Sequence, residues 1–175
     1  MDTIFDLRNV SYSYLGKIEA LRDITININR GEQVTIIGSN GSGKSTLLAV
    51  LNGLVYPSSG DFLAFGHPVT EEVFDSIKEN EFRSYFRTKV GFVFQNSDIQ
   101  LFSSTVFEEI AFGPLQLNIP LEEVKARVED IMEMMQIGKL RDRSPHTLSG
   151  GEKKKVCIAT VLGNNPDVLL LDEPS

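Results

Sequence analysis

The sequence predicts an α/β fold in which a parallel sheet carries helical cover. Three observations point there: a short apolar run leading into a glycine-rich loop and a helix, an alternating segment before it, and a late apolar strand ending in two carboxylates. Leu7, Val10, Tyr12 and Tyr14 mark an early strand, and Ile24, Ile26 and Ile28 alternate in ITININ. Arg30-Gly31-Glu32 makes a turn, and Val34 to Ile37 reads as a short buried strand. After the Gly/Ser loop, Leu47, Leu48, Val50 and Leu51 predict a helix from Lys44 to Leu54. Pro57-Ser58-Ser59-Gly60 is turn chemistry, and Asp61 to Gly66 returns to strand. Residues 67–89 are charged and aromatic, helix plus loop, with no role assigned. Val90 to Phe94 is a further strand. Leu121, Val124, Val128, Ile131, Met132 and Met135 fall at helical spacing, the methionines as core filler. Asp167 to Leu171 closes the series as an apolar strand.

Composition narrows the function classes. Of 175 residues, 41% are hydrophobic and 23% charged, the balance of an ordinary globular domain. A net charge of −7 argues against general affinity for nucleic acid and against adsorption to an anionic membrane. Cys157 is the lone cysteine, so no internal disulfide forms and a reducing cytoplasm is the simplest setting. No secretory signal is readable, and no apolar run approaches the ~20 residues that span a bilayer. Membrane attachment is therefore expected only through a partner protein.

Three motifs carry chemistry. Gly38-Ser39-Asn40-Gly41-Ser42-Gly43-Lys44-Ser45-Thr46 is a full G-x-x-x-x-G-K-[ST] between strand and helix. Its glycines let the backbone wrap phosphates, the helix N-terminus adds partial positive charge, Lys44 reaches the β- and γ-phosphates, and the Ser45 hydroxyl ligates Mg²⁺. Val168 to Leu171 then delivers Asp172 and Glu173 at a strand end, where paired carboxylates are costly without a cation or a reactant. Asp172 suits a Mg²⁺ contact, and Glu173 a general base for the attacking water. Leu148-Ser149-Gly150-Gly151-Glu152 opens a helix through Leu162, with Ser149 and Glu152 spaced as a capping box. That helix start is a second anion site. Lys153, Lys154 and Lys155 read as a solvated helix face, and His67 and His146 as surface or capping residues rather than metal ligands.

LSGGE in this position resembles the signature motif of ABC ATPases, and the resemblance covers nearly the whole chain. It implies an ABC-type P-loop NTPase: a parallel RecA-like core sheet, an N-terminal antiparallel β-subdomain and a helical signature subdomain. One nucleotide-binding domain would fill 1–175, with the β-subdomain and P-loop core at about 1–95, the helical subdomain at about 96–160 and the Walker B strand at about 166–173. It also implies that Tyr14 stacks on adenine, with Tyr12 as the other possible assignment. Gln95 matches the glutamine that senses Mg²⁺ and the γ-phosphate. Residues 39–46 would bind ATP. In the family two domains face head to tail, so Ser149, Gly150 and Gly151, with Glu152 in the same motif, would meet ATP on the other subunit.

Phe94 to Phe102 and Thr105 to Leu115 resemble the cobalt/nickel importers and, equally, the energy-coupling-factor vitamin importers. The expected protein is the ATP-hydrolysing subunit of such an importer, on the cytoplasmic face of the membrane. Its partners would be a second ATPase subunit, identical or sister, and integral membrane subunits, with no nucleic acid. A soluble ABC ATPase acting on ribosome or DNA, or a nucleotide-binding fragment without hydrolysis, are the alternatives. The family's D-loop and switch-histidine strand are missing after Pro174-Ser175, so the chain is expected to be C-terminally incomplete and, alone, poorly soluble and inactive.

Overall fold

The computed structural model describes residues 2–173, which fold as two compact units dividing after Arg87. In the first unit, β1 (Thr3–Tyr14) pairs antiparallel with β2 (Ile18–Asn29) and with β3 (Ser59–Ala64), and the two-residue β4 (His67–Pro68) extends the sheet beside β3. Leu7 stands opposite both Ile26 and Phe62, with Leu7 and Phe62 buried and Ile26 half-buried. Helix α1 (Lys44–Leu51) buries Leu47, Leu48, Val50 and Leu51. It ends three residues before the predicted Leu54, because Gly53 takes φ +60° just after it.

Residues 67–89, which had no assigned role, build an aromatic floor. Thr70 caps the short α2 (Glu71–Asp75) by accepting from Val73 N. In α3 (Asn80–Lys89), Phe82 and Phe86 stand four residues apart on the buried stripe. Phe74 meets Phe86 edge-on at 5.2 Å, and the Arg87 guanidinium lies 5.3 Å from the Phe74 centroid while donating to Asn52 O and Gly53 O. His67 stacks on Phe82 at 4.6 Å.

Val34 to Ile37 corrects an expectation. The segment enters no ladder, with Val34 54% and Ile37 90% exposed. An apolar run becomes a buried strand only where a neighbouring strand takes up its backbone groups, and none of the described strands pairs with it.

In the second unit, β5 (Val90–Val93) pairs parallel with β6 (Val168–Leu171), Val90 opposite Val168 and Val93 opposite Leu171. The connection supplies the cover: α4 (Val106–Gln116), α5 (Leu121–Met134) and α6 (Gly150–Gly163). Val93, Ile110, Val128, Met132, Val156 and Cys157 meet in its core, and burial pushes the Cys157 thiol up. No helix among the described residues is long and apolar enough to cross a membrane.

Candidate phosphate and carboxylate sites

The first unit carries the Gly38–Thr46 loop. Gly43 is the N-cap of α1 at φ +91°, and a Cβ there would lie 2.5 Å from Ala20 O on β2. Only glycine can turn the chain into the helix while touching that strand. Having no side chain, Gly43 makes no side-chain cap to the helix, and the first turn holds no acidic residue. Lys44 Nζ donates to Gly38 O and Ser39 O, 3.0 Å each, which bends the ammonium back over the loop. Ser45 and Thr46 follow on α1. Thr46 Oγ1 lies 3.1 Å from the Tyr14 hydroxyl, one of the two donating to the other. Tyr12 packs edge-on against Tyr14 at 5.0 Å but lines a separate cavity with Arg8, Tyr56 and Phe62. Of the two tyrosines, Tyr14 is the one that reaches this helix.

The second unit carries the carboxylates and the serine–glycine helix start. Asp172 N donates to Val93 O at 3.1 Å, extending the ladder one residue past β6 and leaving the Asp172 side chain buried. Glu173 turns sharply away with φ +45°, a left-handed conformation that is strained for a residue with a Cβ. Its carboxylate accepts a 2.5 Å hydrogen bond from Gln95 Nε2, two residues beyond β5. Gln95 and Glu173 border one cleft of about 770 Å³ with Gly150, Gly151, Asp98 and Lys153.

The predicted capping box is present. Ser149 N donates to Glu152 Oε2 at 3.0 Å, and Ser149 Oγ accepts from Glu152 N at 3.4 Å. The Ser149 backbone and side-chain hydrogen bonds hold the Glu152 carboxyl below its ordinary range. Glu152 is thus engaged in its own helix start. Gly150 and Gly151 differ from Gly43: a Cβ at either would meet nothing within 4 Å, and neither has positive φ. Nothing among the described residues requires them to be glycine.

Two features escaped the sequence reading. Lys153 and Lys154 are not a solvated face: Lys153 Nζ pairs with Asp98 at 2.6 Å, its side chain 18% exposed, and Lys154 Nζ donates to Phe94 O at 3.1 Å. Glu109 is fully buried on α4, where its Oε2 accepts from Phe102 N (2.9 Å) and Ser103 N (2.6 Å). A signal for it existed, since Val106, Glu109 and Ile110 share one helical stripe.

A model of the ABC transporter family matches residues 21–175. The chain belongs to the ABC transporter family. It is 71% identical over 175 residues to a Methanosarcina acetivorans protein named for ABC transporter ATP binding, covering all of this chain and 63% of that one. It therefore spans less than two thirds of that relative. The nickel import ATP-binding protein NikO of Rhodobacter capsulatus is 47% identical over 175 residues, all of this chain and 67% of NikO. The energy-coupling factor transporter ATP-binding protein EcfA of Methanothermobacter thermautotrophicus is 45% identical over 172 residues, 98% of this chain and 53% of EcfA. Among solved structures, cbiO1 from Clostridium perfringens, described as part of the ABC transporter complex cbiONQ, superposes with a TM-score of 0.85 at 39% identity over 99% of this chain and 66% of its own. The dimeric cassette MJ0796 matches at 0.83 and 32%, over 98% and 74%. The antiparallel β-sheet, the covering helices and the parallel β5–β6 pair are thus the ABC-type P-loop fold.

Proposed function

We propose that this chain is the ATP-binding and ATP-hydrolysing part of a subunit that powers import through a membrane transporter, of a transition metal ion such as nickel or cobalt or of a vitamin. Residues 39–46 take the phosphates, Tyr14 the adenine, and Glu173 polarises the attacking water. Mg²⁺ prefers hard oxygen donors, and the Ser45 hydroxyl, the Gln95 carboxamide oxygen and the Asp172 carboxylate are the groups that would hold it. Bound there, the ion would neutralise charge on the terminal phosphates. The protein's share is position and field: backbone N–H groups at α1, the Lys44 ammonium and an oriented base.

The observation that carries hydrolysis is the Gln95–Glu173 hydrogen bond at a left-handed residue beside a buried aspartate. Backbone strain and a carboxamide partner at one strand end suit a reactive carboxylate better than a structural one. Gly150 and Gly151 support a second ATPase subunit, identical or sister, because an added Cβ at either would meet nothing among the described residues. The similarity to NikO and EcfA supports import, hence a protein held at the cytoplasmic face of the membrane by integral subunits.

Two measurements on the full-length protein test this. Glu173→Gln is expected to lower ATP turnover at least about a hundredfold while ATP still binds; turnover near wild type removes Glu173 as base. Affinity purification from detergent-solubilised membranes is expected to recover integral membrane subunits; soluble partners alone overturn the import assignment.

A further inference from the structure

We propose that Lys153 and Lys154 are positioning residues for Gln95, fastening the segment that carries the glutamine to α6 so that its carboxamide is held on Glu173. The kinetic part of the proposal rests on the ATPase reading above. Lys154 Nζ donates to Phe94 O, the carbonyl of the peptide group whose nitrogen belongs to Gln95. The N–H of Phe94 donates to Gln100 Oε1 at 3.2 Å, so the peptide groups on both sides of Phe94 are gripped. Lys153 binds Asp98, and Cys157 Sγ, one turn along the helix, lies 3.7 Å from Ser97 O. From there Gln95 reaches Glu173 at 2.5 Å. Glu109 holds Phe102 and Ser103 at the far end of the same segment.

These lysines are poor choices for stability alone. They stand in the opening turns of α6, where a cation opposes the helix macrodipole. The Asp98 end of the pair is 66% exposed, and such pairs contribute little net stability. Each also immobilises a long flexible side chain. What they supply is location: a displacement of α6 is passed through Phe94 to Gln95, and through its carboxamide to the Glu173 carboxylate.

The test compares Lys153→Met, Lys154→Met, Asp98→Asn and the exchange Lys153→Asp/Asp98→Lys in the full-length protein, with Lys155→Met as control. The first three are expected to lower kcat for Mg-ATP about tenfold with KM within about twofold and thermal midpoint unchanged. The exchanged pair is expected to recover most of the loss, and Lys155→Met to match wild type. Independently of turnover, backbone amides of residues 95–98 are expected to exchange hydrogen about tenfold faster in the two Lys→Met variants. Unchanged kcat in an active protein, or a kcat loss that tracks a fall in thermal midpoint, overturns the positioning role. If the wild type hydrolyses no ATP, the ATPase reading falls first, and the exchange rates still decide the fastening: unchanged rates overturn it.

Discussion

Glu109 shows how much one side chain can organise. A carboxylate removed from water is tolerated when backbone N–H groups satisfy it, and two amides converge on its Oε2, while Oε1 is without a hydrogen-bond partner among the described residues. Glu109→Ala therefore leaves two amides without their acceptor and opens a void in the α4 face. The expected cost is about 2–4 kcal/mol, read from urea denaturation. Glu109→Gln keeps an oxygen for both amides and is expected to cost less than half as much. At this scale the sequence was only partly legible. Lys44, Asp172 and Glu173 stand out because their chemistry needs fixed spacing in the chain. Lys153 and Lys154 act through residues far away in sequence, Lys153 on Asp98 fifty-five positions earlier and Lys154 on Phe94 sixty, and local pattern carries no trace of such a partner.

Elements were easier to read where periodicity and capping agree. The ITININ alternation became β2, and the spacing from Leu121 to Met132 became α5. Ser149 and Glu152 became a capping box, which yields a prediction for the element it starts. Ser149→Ala is expected to destabilise by about 1 kcal/mol near neutral pH. The sign with pH follows from the depressed Glu152 carboxyl: its contribution is present above the ordinary carboxylate range and is lost as pH falls through its folded value. The gap between wild type and Ser149→Ala should therefore narrow as pH falls through that folded value but not close, because the Glu152 N to Ser149 Oγ bond does not depend on the carboxylate's charge, as measured by chemical denaturation at stepped pH. Val34 to Ile37 failed as a strand prediction for a different reason. Composition reports that a segment can pair, whereas pairing depends on an edge supplied from elsewhere.

For the whole molecule, Gly150 and Gly151 separate stability from function. Glycine within a helix costs roughly 1 kcal/mol relative to alanine, and an added Cβ meets nothing at either position. Gly150→Ala and Gly151→Ala are thus expected to raise stability by about 0.5–1 kcal/mol in thermal unfolding. If a second subunit's nucleotide lies against these glycines, as proposed, the same substitutions should abolish ATP turnover by crowding its phosphate. Faster or unchanged turnover would place the partner elsewhere. The acidic net charge belongs to this scale too: a field of −7 repels phosphate backbones, so the phosphate contacts proposed above fall to local helix starts.

Val34-Thr35-Ile36-Ile37 has one more consequence, for the handling of the polypeptide. Four consecutive uncharged β-formers lie outside any ladder, three of them exposed and Ile36 half-buried, a template that any passing strand can lengthen. Yield of this polypeptide expressed by itself should therefore fall steeply as its concentration rises, and a lysine at Ile37, the most open of the four, should keep more of it out of the pellet.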